Sequence, residues 1–318
     1  MEPTIYKCKP ESEWLPLVSI VIPTYNSAHY LEDAINSVTI QDYPQIELIV
    51  LDDGSTDNTE SILRKYNDCL VWARHPNMGQ ALTLNKGWKM SKGSILSYLS
   101  ADDVLLPTAV STSVKYLRAN PETVLTYCDF NLIDQKSRII RQVSSPSFSY
   151  HDLVVKQICQ PGPGVFFRRK TFETVGGWDG SFRQMPDFEY WLRLGLAGQF
   201  LRIPEVLASF RVHDQSQTYA RASEDRCNEP VKIISKFFEI NDLTSDLAAA
   251  KEEALANAYL FSAQLHWRSG RCRKAIAAVF NTFRLYPRTL LSLRTFRIIN
   301  NALFNRAAHK LLRILKGA

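Results

Sequence analysis

Between residues 17 and 128 the hydrophobic pattern switches repeatedly between short apolar runs and a helical period. This alternation constrains the fold more than any other feature of the chain. Leu17-Val18-Ser19-Ile20-Val21-Ile22, ending at Pro23, reads as a buried strand, and residues 28–40 put Leu31, Ala34, Ile35 and Val38 at helical spacing. Residues 46–51, 69–73, 94–99 and 123–128 read as further strands, with helices predicted over 56–66, over 79–90 and from Pro107 onward. Ser55 or Thr56 is expected to cap the second helix, with Asp57 and Glu60 in its first turn. The order implies a Rossmann-like, mainly parallel, doubly wound sheet with flanking helices.

Two of these strands end in paired acids. Asp52-Asp53 follows Glu47-Leu48-Ile49-Val50-Leu51, and Asp102-Asp103 follows Ile95-Leu96-Ser97-Tyr98-Leu99. One such pair is ordinary turn chemistry. Two at the carboxyl ends of parallel strands mark a ligand crevice. Adjacent carboxylates there suit a hard divalent cation, Mg²⁺ or Mn²⁺, whose shell is typically completed by phosphate oxygens. The first strand runs into Pro23-Thr24-Tyr25-Asn26, so neither a Walker loop nor a Gly-x-Gly-x-x-Gly turn follows it. Tyr25 offers either a packing ring or a face for a nucleobase. Asp53 is either a turn residue or an acceptor for a base ring N–H.

Beyond residue 130 the pattern loosens. Gln160-Pro161-Gly162-Pro163-Gly164 is a loop leading to an added strand at 165–167. Residues 175–179 form a turn, 187–196 a helix, 206–212 the last strand, and everything from about 225 reads as helix. The span from Ala256 through Gly270 to Pro287 resembles one helix–turn–helix unit of the tetratricopeptide kind, which alone makes no solenoid and is expected to pack on the main domain.

Charge divides the chain. Residues 267–318 carry 12 Lys/Arg and no acid, leaving 26 basic against 32 acidic residues upstream, so the body is mildly acidic and nucleic acid is not its expected partner. Phe296, Leu303, Phe304, Leu311, Leu312 and Leu315 fall near one helical face, with Arg294, Arg297, Arg306, Arg313 and Lys316 largely off it. Such a basic amphipathic helix is expected to lie on an anionic membrane surface. The six cysteines form no Cys-x-x-Cys pair, the start lacks signal-peptide regions, and no uncharged apolar run reaches the roughly 18 residues of a bilayer span. The expected location is cytoplasmic, peripheral at the inner face of the cytoplasmic membrane.

Taken together, Val18-Ser19-Ile20-Val21-Ile22-Pro23-Thr24-Tyr25-Asn26 and Leu51-Asp52-Asp53-Gly54-Ser55-Thr56-Asp57 resemble the opening of family 2 inverting glycosyltransferases. Asn77-x-Gly79-Gln80, Leu99-Ser100-Ala101-Asp102-Asp103, Gly176-Gly177-Trp178-Asp179 and Asp187-Phe188-Glu189-Tyr190-Trp191-Leu192-Arg193 are similar to that family's later landmarks, in order, over roughly residues 16–215. The resemblance implies a glycosyltransferase A-type fold and a nucleotide-diphosphate-sugar donor, uridine favoured. It implies that Pro23, Tyr25, Asp53 and Gln80 line the nucleoside pocket. Asp103 would bind the cation, with Asp102 beside it near the ribose or donor sugar, and Asp187 would be the general base. The stretch Phe210-Arg211-Val212-His213 resembles a late Arg-x-His segment in which His213 completes the metal shell or contacts the diphosphate, and Arg211 contacts phosphate.

Two positions depart from the pattern. Ser100 stands where many relatives have the first Asp of Asp-x-Asp, and Pro186 where an acid often precedes the base. Asp187, following Pro186 at a helix start, is expected to be kept ionised by the helix dipole.

The implied organisation is an N-terminal extension (1–15), a catalytic domain (16–222, with a nucleotide-binding half 16–128 and an acceptor half 129–222) and a helical region with a basic tail (223–318). The acceptor is expected to be a glycan or lipid-linked sugar of surface polysaccharide or lipopolysaccharide synthesis. A catalytically silent sugar-nucleotide binder, or an interaction protein using the helical tail, is the alternative. A nucleotidyltransferase usually opens with a glycine-rich basic loop, which Pro23-Thr24-Tyr25-Asn26 is not.

Overall fold

The computed structural model describes residues 15–158, 161–213, 216, 221–291 and 295. Most of the N-terminal extension and the basic helix anticipated beyond Leu291 lie outside the described residues. From residue 18 the chain forms β1 (Val18–Thr24), α1 (Ala28–Thr39), β2 (Ile46–Asp52), α2 (Thr59–Arg64), β3 (Val71–Arg74), α3 (Gln80–Met90), β4 (Ile95–Tyr98), β5 (Val104–Leu105) and α4 (Ala109–Ala119). Then follow β6 (Thr123–Ile133), β7 (Ile139–Val143), α5 (Tyr150–Lys156), β8 (Phe166–Arg168), α6 (Arg169–Val175), α7 (Pro186–Ala197) and β9 (Gln199–Arg211). Five α-helices, α8 (Glu224–Cys227), α9 (Glu229–Phe237), α10 (Ser245–Ala249), α11 (Lys251–Arg268) and α12 (Cys272–Leu285), and a single 3-10 turn at Pro287–Leu291 follow.

The strands form one sheet in the order β3-β2-β1-β4-β8-β6-β9-β5, with β7 paired to β6. Strands β3, β2, β1 and β4 pair in parallel, as do β6 and β9, while β8, β5 and β7 run against their neighbours. The sheet is thus mainly parallel, with reversed insertions in its second half. Its two faces follow from strand alternation. Val18, Ile20 and Ile22 of β1 join Leu48 and Val50 of β2 in the core under α1 and α4, whereas Val21, Ile49 and Leu51 join the opposite core with α3 and α7. That second core continues into Ile233, Ile234 and Phe237 of α9 and Ala254 and Ala258 of α11. The helix pair α11–α12 is the anticipated helix–turn–helix, turning at Gly270 (φ +83°) and tied by the Thr282 hydroxyl donating to the Ala256 carbonyl at 3.0 Å. Among the described residues no helix is long and apolar enough to cross a membrane.

Several boundaries differ from the sequence reading, each for a non-local reason. Helix α2 starts at Thr59, not Thr56, because Ser55 and Thr56 are engaged elsewhere. Ser55 N–H donates to Asp52 Oδ1 (2.8 Å), Ser55 Oγ accepts from Asn26 N–H (2.9 Å), and Thr56 N–H donates to Asn26 Oδ1 (2.8 Å). These bonds knit the loops after β1 and β2 into one surface. The last strand begins at Gln199 rather than 206, since β6 runs on to Ile133 and offers it a partner along most of its length. Strands β5 and β7 carry no alternation legible in sequence.

Candidate active site

The loops after β1, β2 and β4 meet at one edge of the sheet, as parallel strands with crossover helices require. They open into a cavity of about 940 Å³ lined by Pro23, Tyr25, Asp53, Gln80, Asp102, Asp103, Asp187 and His213, eight of the nine residues singled out above. Arg211 is the ninth and is not in the lining.

Beside the loops after β1 and β2, Tyr25 is half exposed (50%) and lines the cavity. Asp53 is buried, and its carboxylate holds the loop before α3: Oδ1 accepts from Met78 N–H (2.7 Å) and Oδ2 from Gly79 N–H (2.9 Å). Asn77 Nδ2 completes the tie by donating to the Asp53 carbonyl at 3.0 Å. Gly54 turns here with φ +80°, and a Cβ on it would come within 2.9 Å of Asn77 N. The Asp53 carboxylate is thus organised by two backbone donors.

On the acid side β5 pairs antiparallel with β9, register Val104 opposite Ser209, and this sets Asp102-Asp103 beside Arg211–His213. Asp103 is buried, with Oδ1 accepting from Arg211 N–H at 2.9 Å. Burial and the neighbouring Asp102 charge push its carboxyl well above the usual range. His213 Nε2 lies 2.9 Å from Asp102 Oδ2. The Arg211 guanidinium is fully buried and turned to structural work: it donates to the Asp102 carbonyl (2.8 Å), the Asp134 carbonyl (3.2 Å), Ser137 Oγ (2.8 Å) and Asp33 Oδ2 (3.0 Å), over the Tyr30 ring. A phosphate contact was expected of it; in this fold its side chain instead braces the Asp102-Asp103 loop.

Among the described residues no three His, Cys, Asp or Glu side chains converge as a ready-made metal cage. The donors present do fit a cation that takes one or two protein ligands. Asp103 and Asp102 are hard carboxylates whose mutual repulsion a divalent ion would relieve, and Mg²⁺ usually completes such a shell with substrate phosphates and water.

Across the cavity Asp187 sits in the first turn of α7, which opens at Pro186. It is half-buried, its Oδ1 accepts from Phe188 N–H at 2.8 Å, and its dry surroundings push its pKa up, outweighing that backbone bond.

The wall carrying Asp187 is held by residues that the sequence reading missed. Glu229, at the start of α9 and 5% exposed, accepts from the backbone N–H groups of Arg183 (2.9 Å), Gln184 (2.6 Å) and Met185 (3.1 Å), the segment leading directly into Pro186-Asp187. Helix α7 has no side-chain cap of its own. Arg193 grips Glu189 through two 2.7 Å bonds and donates to the Val175 and Gly177 carbonyls, both at 2.7 Å. Asn85 of α3 brackets Trp178, accepting from its N–H (2.8 Å) and donating to its carbonyl (2.7 Å). The Trp178 ring packs edge-on to Tyr98 at 5.1 Å, and its buried Nε1–H has no hydrogen-bond partner among the described residues although the residue lines the cavity. Arg226 of α8 reaches the lining from the helical region. The Gly-Gly-Trp-Asp motif was the available signal for Trp178; Glu229 and Arg226 had none, because they sit in ordinary helix-start sequence.

A Cβ on Gly177 would fall 2.1 Å from Asn85 Oδ1. Gly177→Ala is therefore expected to break the Asn85–Trp178 bracket and cost about 1–3 kcal/mol for the stranded polar groups. Urea denaturation checks this, and an unchanged midpoint would show that the bracket is dispensable.

The mainly parallel α/β sheet with a mixed edge and flanking helices is an architecture of the glycosyltransferase A type. The model of the family described as Glycosyl transferase family 2 matches residues 19–175. An uncharacterized glycosyltransferase of Rickettsia typhi (strain ATCC VR-144 / Wilmington) is 33% identical over 216 residues, which cover 65% of this chain and 68% of that protein. The chain belongs to glycosyl transferase family 2 and is a glycosyltransferase. Solved structures that share its fold include the following two. Staphylococcus aureus TarS 1–349 in complex with UDP-GlcNAc aligns with a TM-score of 0.65 at 17% identity, covering 85% of this chain and 81% of that one. The mannosyltransferase PcManGT of Pyrobaculum calidifontis, in complex with GDP-Man and Mn²⁺, aligns with a TM-score of 0.60 at 18% identity, covering 96% and 90%.

Proposed function

We propose that this glycosyltransferase is inverting: it moves a sugar from a nucleotide-diphosphate-sugar, uridine favoured, to a glycan or lipid-linked acceptor by a single displacement. The observation that carries the reading is the shared cavity, lined by Asp103 in the loop between β4 and β5 and by Asp187 at the head of α7. Tyr25, Asp53, Pro23 and Gln80 receive the nucleoside. TarS holding UDP-GlcNAc supports uridine, and PcManGT with GDP-Man keeps guanosine as the competing donor.

Asp103, with Asp102 and His213 beside it, would hold Mg²⁺ or Mn²⁺. That ion, when bound, neutralises charge on the departing diphosphate. Asp187 takes the proton of the attacking acceptor hydroxyl as the new bond to the anomeric carbon forms and the bond to the diphosphate oxygen breaks. Trp178 Nε1–H is a spare donor for a substrate oxygen in a buried wall. Residues 16–222 form the catalytic unit in this reading, with donor contacts in 16–128 and acceptor contacts in 129–222, and 223–318 the helical region. The setting is the cytoplasmic membrane face during surface polysaccharide or lipopolysaccharide synthesis.

Titration calorimetry with UDP-, GDP- and dTDP-sugars, in Mn²⁺, Mg²⁺ or EDTA, tests the donor assignment. Cation-dependent binding of one nucleotide-sugar is expected. Folded protein that binds none of them, metal present, would sink the reading.

The pH profile gives a second check. Because burial raises the pKa of Asp187, its basic form is lost at higher pH than that of an ordinary Asp, near 4. The acid limb of kcat/KM is therefore expected to rise with pH through a midpoint above 4. A rate flat down to pH 4 would remove Asp187 as the titrating base.

A further inference from the structure

We propose that the outward face of α12 is a docking surface for an anionic lipid bilayer. The inference is independent of which sugar or acceptor the active site takes.

The helix has its amphipathicity inverted. Towards α11 it buries small residues, Ala275, Ala278 and Thr282, whereas its large apolar side chains point to solvent: Ile276 is 64% exposed, Phe280 63% and Phe283 56%. Their i, i+4, i+7 spacing confines them to about 60° of the helix circumference at 3.6 residues per turn. Leu291, just past the helix, is 86% exposed. Two exposed phenylalanines and an isoleucine on one stripe form a contiguous apolar patch, which a soluble surface rarely shows without a partner.

Charge identifies the partner. Arg273, Lys274, Arg284 and Arg288 are exposed on α12 and the turn after it. Lys274 is paired with Glu224 at 2.9 Å, and the other three make no ion pair within the described residues. From residue 267 to the end the sequence has 12 basic residues and no acid. A second copy of this face, or the chain's own last residues folded back on it, would bring like charge to like. A bilayer bearing anionic headgroups supplies both an apolar layer for Phe280 and Phe283 and counter-charge for the arginines.

The test is co-sedimentation of the full chain with phosphatidylglycerol-containing and with pure phosphatidylcholine vesicles, for the wild type and for the triple variant Ile276→Ser/Phe280→Ser/Phe283→Ser. All three positions are exposed and none lines the cavity, so nucleotide-sugar binding should stay as in the wild type, which separates failure of this proposal from failure of the donor assignment. Binding selective for the anionic vesicles, weakened by raising NaCl and reduced at least tenfold in the triple variant, is the expected result. The proposal is overturned if the wild type does not bind anionic vesicles or if the triple variant binds as well as the wild type. It is equally overturned if light scattering shows a dimer that only the triple variant loses, which would make this face a protein interface.

Discussion

Asp187→Asn is expected to lower kcat by about 10²–10⁴-fold, the usual worth of a positioned general base, while leaving nucleotide-sugar affinity within a few-fold of the wild type. The asparagine keeps the shape of the side chain and an oxygen for the Phe188 N–H now bonded at 2.8 Å, so the head of α7 keeps its geometry. It loses only the ability to accept the hydroxyl proton. An interaction made in the transition state alone falls out of kcat and kcat/KM together, with the donor Kd unmoved. Steady-state kinetics beside calorimetry give the two numbers. A kcat within threefold of the wild type would move the base to another carboxylate of the cavity.

The second large effect is predicted at Glu229, far from any recognisable motif. Three backbone N–H groups, of Arg183, Gln184 and Met185, end on its two carboxylate oxygens. In Glu229→Ala all three lose their acceptor beside a buried helix start. At roughly 1–3 kcal/mol for each stranded donor, moderated by water entering the gap, a stability loss of about 3 kcal/mol is expected. The same loop delivers Asp187, and a shift of about 1 Å in a reacting group can cost around 100-fold in rate. Glu229→Gln keeps one carbonyl oxygen and should fall between the wild type and Glu229→Ala in both respects. The decisive readout is kcat for the folded variants at low temperature, with donor Kd as the control. If Gln and Ala lower the melting temperature but leave kcat untouched, Glu229 is a structural tie without influence on the base.

Where the two departures from the family pattern fall also makes physical sense. Pro186 supplies no carboxylate before Asp187, yet it suits the first position of α7, where its missing N–H is not needed. A carboxylate still reaches that backbone, from Glu229, 44 residues beyond Met185. Ser100 lines the cavity without charge, which leaves Asp102 and Asp103 as the acids at the end of β4.

What the sequence made legible was local and periodic. Strands β1, β2 and β4 announced themselves through short, mainly apolar runs, and the paired acids through their place after β4 and at the end of β2. Eight of nine nominated residues share one cavity because parallel strands deliver their carboxyl ends to one edge. What stayed hidden depends on contacts distant in the chain. The start of α2 moved because Asn26, from the loop after β1, engages Ser55 and Thr56. Arg211 sits in a motif but is consumed by Asp33, Asp134 and Ser137, none of which could be known as its neighbours. Glu229-Pro230 reads as a routine helix opening, with an acid and a proline in the first turn, and only tertiary packing turns that acid towards α7. The outward stripe of α12 has helical spacing, and the fold leaves it in solvent.

The central claim is direct displacement at the anomeric carbon with Asp187 as base. The most direct measurement is time-resolved ¹H NMR of the sugar product formed from an α-linked nucleotide-sugar, read before mutarotation. A β-configured first product is the result this account predicts. An α-configured first product would contradict single displacement and, with it, the role given to Asp187.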